Sequence, residues 1–571
     1  MKRGDIISKS LNILFTMLFL WLFVFIGIIL FYSILSLDNI SINLIFKELN
    51  LESETSNLWY YIKLWFSISY FITSILYSLK ISRFISLLIS KRLSLDKQKQ
   101  EISSDSLSLF IGNDFISGKP IYIPEKGLYQ NMLITGTIGT GKTSSAMYPF
   151  TKQLINYKSR DLKSKLSMLV LDVKGNYYSK VKDFAKEANR EKDVIVIELN
   201  GFYKYNPLHK PHLKPSVIAN QLKEILLLFS PNNTESFWLD KVELTLTYAI
   251  TLCRLYNKNY VTFEEIHKLI TNNNYYLEKV SLIKDSFIKN KLKDAEVKNF
   301  LSCINYFNGE FFSLDSRTLG ILRAEITRIT SCFVSDFDVL STFCPQKVDL
   351  NFSGFRDLIT SGKIVVLNMN INQYRNLSRI IAAYLKLDFQ TEILSSLSNN
   401  NTPLRPTAFI SDEYSEYVTA LDANFFSQSR EAKCINIVAT QSYTSLLNTL
   451  NNPNTTKVIV QNLVNKLWFR SDDLFTIEDA QKQIGKIEKE KLSKTISENS
   501  QRTSYNYIFK SFNSHNSNIS ESINRSTNLD YVFDTNFFTQ KLETFTALSF
   551  ISNGDKIFSP KKIKLIPWFL S

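Results

Sequence analysis

From about residue 100 onward, short apolar runs rich in β-branched residues alternate with longer stretches of helical periodicity. Seven such runs read as strands: Asn131–Ile134, Ser167–Asp172, Asp193–Leu199, Lys363–Asn368, Thr407–Asp412, Ile435–Ala439 and Lys466–Arg470. Runs this short and this continuously apolar fit strands buried on both faces. Separated by helices, they indicate a mostly parallel sheet in an α/β fold. The rhythm breaks between Lys214 and Cys332. No run there reads as a strand, and segments such as Val242–Ile250 carry helical spacing, so an inserted all-helical domain is expected. Ser395–Pro403 and Ser497–Asn528 are Ser- and Asn-rich with little to bury, and read as flexible loops.

The first hundred residues follow a different pattern. Leu11–Leu37 is an unbroken apolar stretch without a charge, longer than the roughly 20 residues a helix needs to cross a bilayer core. Its length exceeds the apolar region of a cleavable signal, about 7–15 residues. Leu58–Ile81 is a second candidate span. Its Lys63 lies near one end, where it can reach headgroups, beside Trp59, Tyr60, Tyr61 and Trp65. Lys2, Arg3 and Lys9 precede the first span, and Lys80, Arg83, Lys91, Arg92, Lys97 and Lys99 follow the second. The connecting loop is acidic: Asp38, Glu48, Glu52 and Glu54 stand against Lys47. The positive-inside rule then places both ends in the cytoplasm and the loop outside.

Composition adds limits. The chain of 571 residues exceeds what one simple core holds. Its formal charge of +14 suits nucleic acid or an anionic membrane surface, and equally a lysine-rich proteome. Cys253, Cys303, Cys332, Cys344 and Cys434 form no CxxC pair, and His209, His212, His267 and His515 show no metal-binding spacing. A disulfide framework and a structural zinc are not expected.

The chemistry concentrates at strand ends. Gly136-Thr137-Ile138-Gly139-Thr140-Gly141-Lys142-Thr143 matches GxxxxGK[ST] between an expected strand and an expected helix. Three glycines let backbone N–H groups curl toward an anion, and the next helix, with Ser144 in its first turn, points its positive end at the same place. Lys142 would reach the β- and γ-phosphates of ATP, and Thr143 would hold Mg2+. Ala408–Glu413 is an apolar strand ending in two carboxylates. Asp412 would share the metal and Glu413 would activate water as a general base. Gln441 ends the next strand. It either senses the γ-phosphate or is a plain polar strand end. Arg430, just before that strand, is either a surface residue or a guanidinium reaching a neighbouring subunit's site; Arg470 is a weaker candidate for that task. Asp172-Val-Lys174-Gly175 also lies at a strand end. No LSGGQ-like run or NKxD motif is present to favour a transporter ATPase or a GTPase.

Taken in order, these features resemble the type IV secretion coupling proteins, the TraG/TraD-like conjugative DNA-transfer ATPases. The resemblance covers two N-terminal spans, the loop Gly136–Thr143 and Asp172–Gly175. It continues through Tyr205-Asn-Pro-Leu208, Ser236-Phe-Trp238, Ser316–Leu322, Asp412-Glu413 and Thr440-Gln441-Ser442. Asn176 departs from it, since many relatives carry an acid there. The resemblance implies a RecA-like P-loop domain, 101–213 and 333–495, around an all-α domain, 214–332, after a membrane anchor, 1–100, and before a C-terminal end, 496–571, that begins with the flexible segment. It also implies a homo-hexamer in the plasma membrane, with Arg430 crossing the subunit interface. Its partners would be the secretion channel, a relaxase or effector protein, and DNA, in the first place single-stranded. A double-stranded DNA translocase of the FtsK/HerA type is the alternative.

Overall fold

The structure, a computed structural model, describes residues 17, 21–23, 26–27, 65, 68–81, 106–172, 175–229, 236–289, 294–369, 371–374, 376–397, 405–498, 505–506, 511–512 and 519–570. The chain divides into two units, Met1–Ser106 and Leu107–Ser571.

The second unit is built on one sheet. Its strands are β1 (Ser108–Asp114), β2 (Pro120–Pro124), β3 (Met132–Thr135), β4 (Ser167–Leu171), β5 (Val194–Ile197), β6 (Ile364–Leu367), β7 (Thr407–Ser411), β8 (Cys434–Thr440) and β9 (Asn465–Trp468). Four short or separate strands follow: β10 (Lys486–Glu498), β11 (Tyr505–Asn506), β12 (Ser511–Phe512) and β13 (Ile519–Tyr531). The last two, β14 (Thr546–Phe550) and β15 (Lys561–Lys564), return to the sheet. The sheet order is β2-β1-β15-β14-β9-β3-β8-β7-β4-β6-β5. From β9 to β5 every pairing is parallel; β14, β15, β1 and β2 extend the sheet antiparallel. Each of the seven expected strands is present, with ends shifted by one or two residues.

Alternation explains why these runs are apolar at every position. Leu133, Leu169, Leu171, Val365, Leu367, Phe409 and Val438 enter a core on one face. Their neighbours Met132, Ile134, Met168, Val170, Ile364, Val366, Ala408, Ile410 and Ile437 enter a core on the other. Side chains of a strand point to opposite faces in turn, so a strand covered on both sides has no polar register to spare.

Between β5 and β6 the described chain is helical, from Pro215–Leu227 through Ser236–Tyr256, Phe263–Thr271, Asn273–Lys289, Asp294–Tyr306, Ser316–Val334 and Phe337–Phe343. Capping side chains start several of these helices: Thr262, Asp315 and Asp336 each accept first-turn N–H groups. The interior of these helices is continuous with the first sheet core, through Val242, Leu246, Phe263, Phe333 and Phe409.

Two features differ from the sequence reading. Strand pairing enters the stretch expected to be flexible. β10 and β13 form an antiparallel ribbon, Lys486 opposite Tyr531 and Glu498 opposite Ile519. Backbone hydrogen bonds carry such a ribbon without the apolar face that sequence patterning detects. The tail also supplies β14 and β15, which the sequence reading leaves unassigned.

The expected span Leu11–Leu37 lies almost wholly outside the described residues, and Leu58–Ile81 lies partly so. Among the described residues no helix is long and apolar enough to cross a membrane. Within the first unit, residues 68–81 are helical. The Tyr70 hydroxyl donates to the Phe23 carbonyl at 3.0 Å, and the Tyr70 ring packs on Gly27.

Candidate active site

The β3 strand ends at Thr135, and the chain turns sharply through Gly136, Gly139 and Gly141, at φ of 156°, 79° and 92°. The last two lie in the left-handed region that a side chain disfavours. Lys142–Met147 is a π-type turn that runs into the helix Tyr148–Asn156. Neighbouring strand ends pin the loop. Gly136 N–H donates to the Gln441 carbonyl at 3.1 Å, and Thr137 N–H to the Arg470 carbonyl at 2.9 Å. Inside it, the Thr140 hydroxyl donates to the Thr137 carbonyl at 2.8 Å, and the Ser144 hydroxyl to the Gly141 carbonyl at 3.3 Å. The Lys142 ammonium lies back across the loop, bonded to the carbonyls of Gly136 and Thr137. Ile138 is the loop's exposed tip.

Asp412 follows β7, two strands from β3. Its carboxylate Oδ2 accepts from the Thr143 hydroxyl at 2.7 Å, and its N–H donates to the Leu171 carbonyl at 3.1 Å. Asp412 is buried, as is Glu413 beside it. Glu413 adopts φ 49°, and its N–H donates to Asp412 Oδ1 at 3.0 Å. A side chain held in the left-handed region at a strand tip is strained, and such residues cluster at functional sites. The loop and the two acids, 269 residues apart in sequence at Thr143–Asp412, therefore meet. Burial pushes the Tyr148 hydroxyl up to about 12, helped by the charges of Asp172 and Asp412.

This donor set fits magnesium. A hydroxyl and one carboxylate, both hard oxygens and already in contact, leave the remaining positions to phosphate oxygens and water, which is how Mg2+ is commonly held. Asp172 does a different job. Its Oδ2 accepts the N–H groups of Asn176 and Tyr177 at 3.1 and 3.2 Å, starting the helix Tyr177–Glu187. Lys174 lies outside the described residues. Gln441 stands at the tip of β8 and is exposed. With Thr137, Ile138, Ser442, Ser471, Asp472 and Asp473 it lines a cavity of about 450 Å3 beside the loop. Arg470 reaches the loop through its backbone, and its side chain is exposed.

Arg430 is not brought into this cluster. It is exposed in the turn before β8, the end of that strand opposite Gln441. The turn is rigid: the Ser429 hydroxyl donates to Asn131 Oδ1 at 3.2 Å and accepts from Asn436 Nδ2 at 3.0 Å. Arg430 thus lies at the edge of the sheet opposite its own phosphate loop.

Sequence reasoning passes over a buried network behind Glu413. Lys386, on the helix Asn376–Ser396, donates to the Tyr417 carbonyl at 2.7 Å, to the Thr419 hydroxyl at 3.2 Å and to Asp422 Oδ2 at 2.6 Å. Asp422 also accepts from Tyr414 and, at 2.8 Å, from Gln390. Two residues along the same helix, Asp388 pairs with Lys210 at 2.6 Å and accepts from Tyr205. The Tyr205–Leu208 motif therefore sits at the root of the helical segment rather than at the loop.

No family model matches the chain, and no curated protein does. Solved structures do. A bacterial conjugative coupling protein, TrwBdeltaN70 in an unbound monoclinic form, matches with a TM-score of 0.51 and 13% identity, over 80% of this chain and 88% of that one. The chain shares the fold of that structure. TrwB in complex with ADP and Mg2+ matches with a TM-score of 0.51 and 13% identity, over 81% of this chain and 90% of that one. VirB4 of Thermoanaerobacter pseudethanolicus matches with a TM-score of 0.45 and 12% identity, over 80% of this chain and 96% of that one.

Proposed function

We propose that this protein is a membrane-anchored, Mg2+-dependent ATPase of type IV secretion. It recruits DNA, in the first place relaxase-bound single-stranded DNA, or a protein substrate and drives it into the secretion channel. The observation that carries the reading is the contact between Thr143 and Asp412 at the mouth of the glycine loop, on a fold shared with a conjugative coupling protein. TrwB has been solved in complex with ADP and Mg2+ and with non-hydrolysable GTP and ATP analogues. The same ligands suit the residues here.

In this scheme the loop's N–H groups and Lys142 grip the phosphates. Thr143 and Asp412 hold the Mg2+, which neutralises phosphate charge when bound. Glu413 takes a proton from the attacking water, and Gln441 orients that water. A homo-hexamer brings Arg430 of one protomer toward the site of the next, which accounts for an arginine fixed at the far end of its own sheet. Basic residues along the pore hold nucleic acid by its phosphates, in keeping with the +14 charge.

The anchor is supported by an inverted burial pattern in the first unit. Ser74 and Ser78 are buried, while Trp21, Phe71, Ile72, Leu76 and Tyr77 are exposed. Small polar residues inward and large apolar ones outward is the arrangement of helices in lipid. The full chain is expected to stay with the membrane fraction through alkaline carbonate extraction. Release into the supernatant would reject the anchor. A reporter fused after Ser571 is expected to be cytoplasmic.

The activity is tested by ATP hydrolysis of the full chain in detergent, with and without single-stranded DNA. Stimulation of about tenfold or more, lost as salt is raised, is the expected result. Hydrolysis that responds only to double-stranded DNA would favour an FtsK/HerA-type translocase. No hydrolysis in either case would remove the motor reading.

A further inference from the structure

The aromatic pair Phe545 and Phe569 lies against the glycine loop and has no part in the scheme above. The Phe545 ring abuts Gly141 so closely that any side chain there would meet it. The backbone of Phe545 is pinned from both sides. Its N–H donates to the Thr140 carbonyl at 3.1 Å, and its carbonyl accepts from Leu565 N–H at 2.8 Å. These bonds hold it at φ 62°, a conformation that costs a bulky residue free energy unless its surroundings impose it. Phe569 is 57% exposed, and its ring centre is 6.3 Å from that of Phe545. Next to it, Trp568 lies under the Lys180 ammonium at 4.1 Å and 6.3 Å from Tyr148. The tail is thereby fixed to the helix that follows the loop.

Sheet order says what this pair faces. The strands run β14-β9-β3-β8-β7, with the loop on β3 and Asp412 and Glu413 on β7. β14 is antiparallel to β9, so Phe545, just before β14, lies at the same edge as the loop. The metal-holding acid and the water-activating acid lie on one side of β3 and Phe545 on the other. A nucleotide whose terminal phosphate points to β7 must direct its other end toward β9 and β14.

We infer that Phe545, flanked by Phe569, is the surface on which the base of the bound nucleotide stacks. The inference rests on the nucleotide-binding reading and adds the residue that recognises the base. Stacking needs only a π face, so the platform favours a nucleoside triphosphate over a bare phosphate chain without choosing strongly among purines.

The test compares ATP with inorganic tripolyphosphate, which has the phosphates and no base, by calorimetric titration of the full chain in detergent. Phe545→Leu keeps apolar bulk against Gly141 and removes the ring. It is expected to weaken ATP binding about tenfold and tripolyphosphate binding less than twofold. Phe545→Trp is expected to keep ATP affinity, with its fluorescence quenched by ATP and not by tripolyphosphate. Equal weakening of both ligands, or of neither, in Phe545→Leu would overturn the platform and leave nucleotide binding intact. Wild-type protein that bound neither ligand would overturn the nucleotide reading and this inference with it.

Discussion

Glu413→Gln is expected to lower ATP turnover by about 100-fold or more while leaving ATP binding within a few-fold of wild type. The carboxylate lies at the tip of β7 beside Asp412, and its backbone sits in the left-handed region with its N–H bonded to Asp412 Oδ1. Glutamine keeps the size and the hydrogen-bonding oxygen and cannot take a proton. Only the step that needs the base should fail, and general-base catalysis accounts for about 10²–10⁴ in rate. Lys142→Ala is the contrast. It removes the cation proposed to grip the phosphates, so binding and turnover should fall together. Steady-state hydrolysis and equilibrium nucleotide binding, measured on the same preparations, separate the two. Full turnover in Glu413→Gln would reject it as the base.

The parallel half of the sheet was legible because burial on both faces leaves an unbroken apolar run, and the glycine loop because its geometry admits few residues. The pair at 412–413 was legible through its place after such a run. The antiparallel extension was not. β1, β2 and β15 carry mixed burial, with exposed lysines in Lys561–Lys564 and prolines at both ends of Pro120–Pro124, so their pattern does not stand out from loop sequence, and β14 is a run of only five residues, Thr546–Phe550. For the same reason Phe545 passed unnoticed: one aromatic residue in a tail has no local signal, and its place against Gly141 is fixed by long-range pairing. Arg430 was named, but its distance from its own site is a property of strand direction that no local pattern carries.

The helix Asn376–Ser396 hides the largest departure from what sequence conveys. Lys386, Asp388, Gln390 and Glu392 are four polar residues within seven positions, yet all four are buried. Burial pushes the Lys386 ammonium below its ordinary range, and the Asp422 carboxylate opposes that push. Lys386→Met should therefore leave Asp422 as a buried charge with only neutral donors from Tyr414, Gln390 and the Thr419 N–H. Breaking a buried pair from one side costs about 3–5 kcal/mol, and denaturant unfolding should register a loss of that order. Removing both charges, in Lys386→Met with Asp422→Leu, should cost less than the sum of the single changes, because neither charge is then left alone. The segment that Lys386 holds, Tyr417 to Asp422, follows shortly after Asp412 and Glu413, the turn proposed to carry catalysis. Lys386→Met protein that stays folded should accordingly lose turnover more than ATP affinity. A variant as stable as wild type, with unchanged turnover, would show that this network neither holds the fold nor positions Glu413.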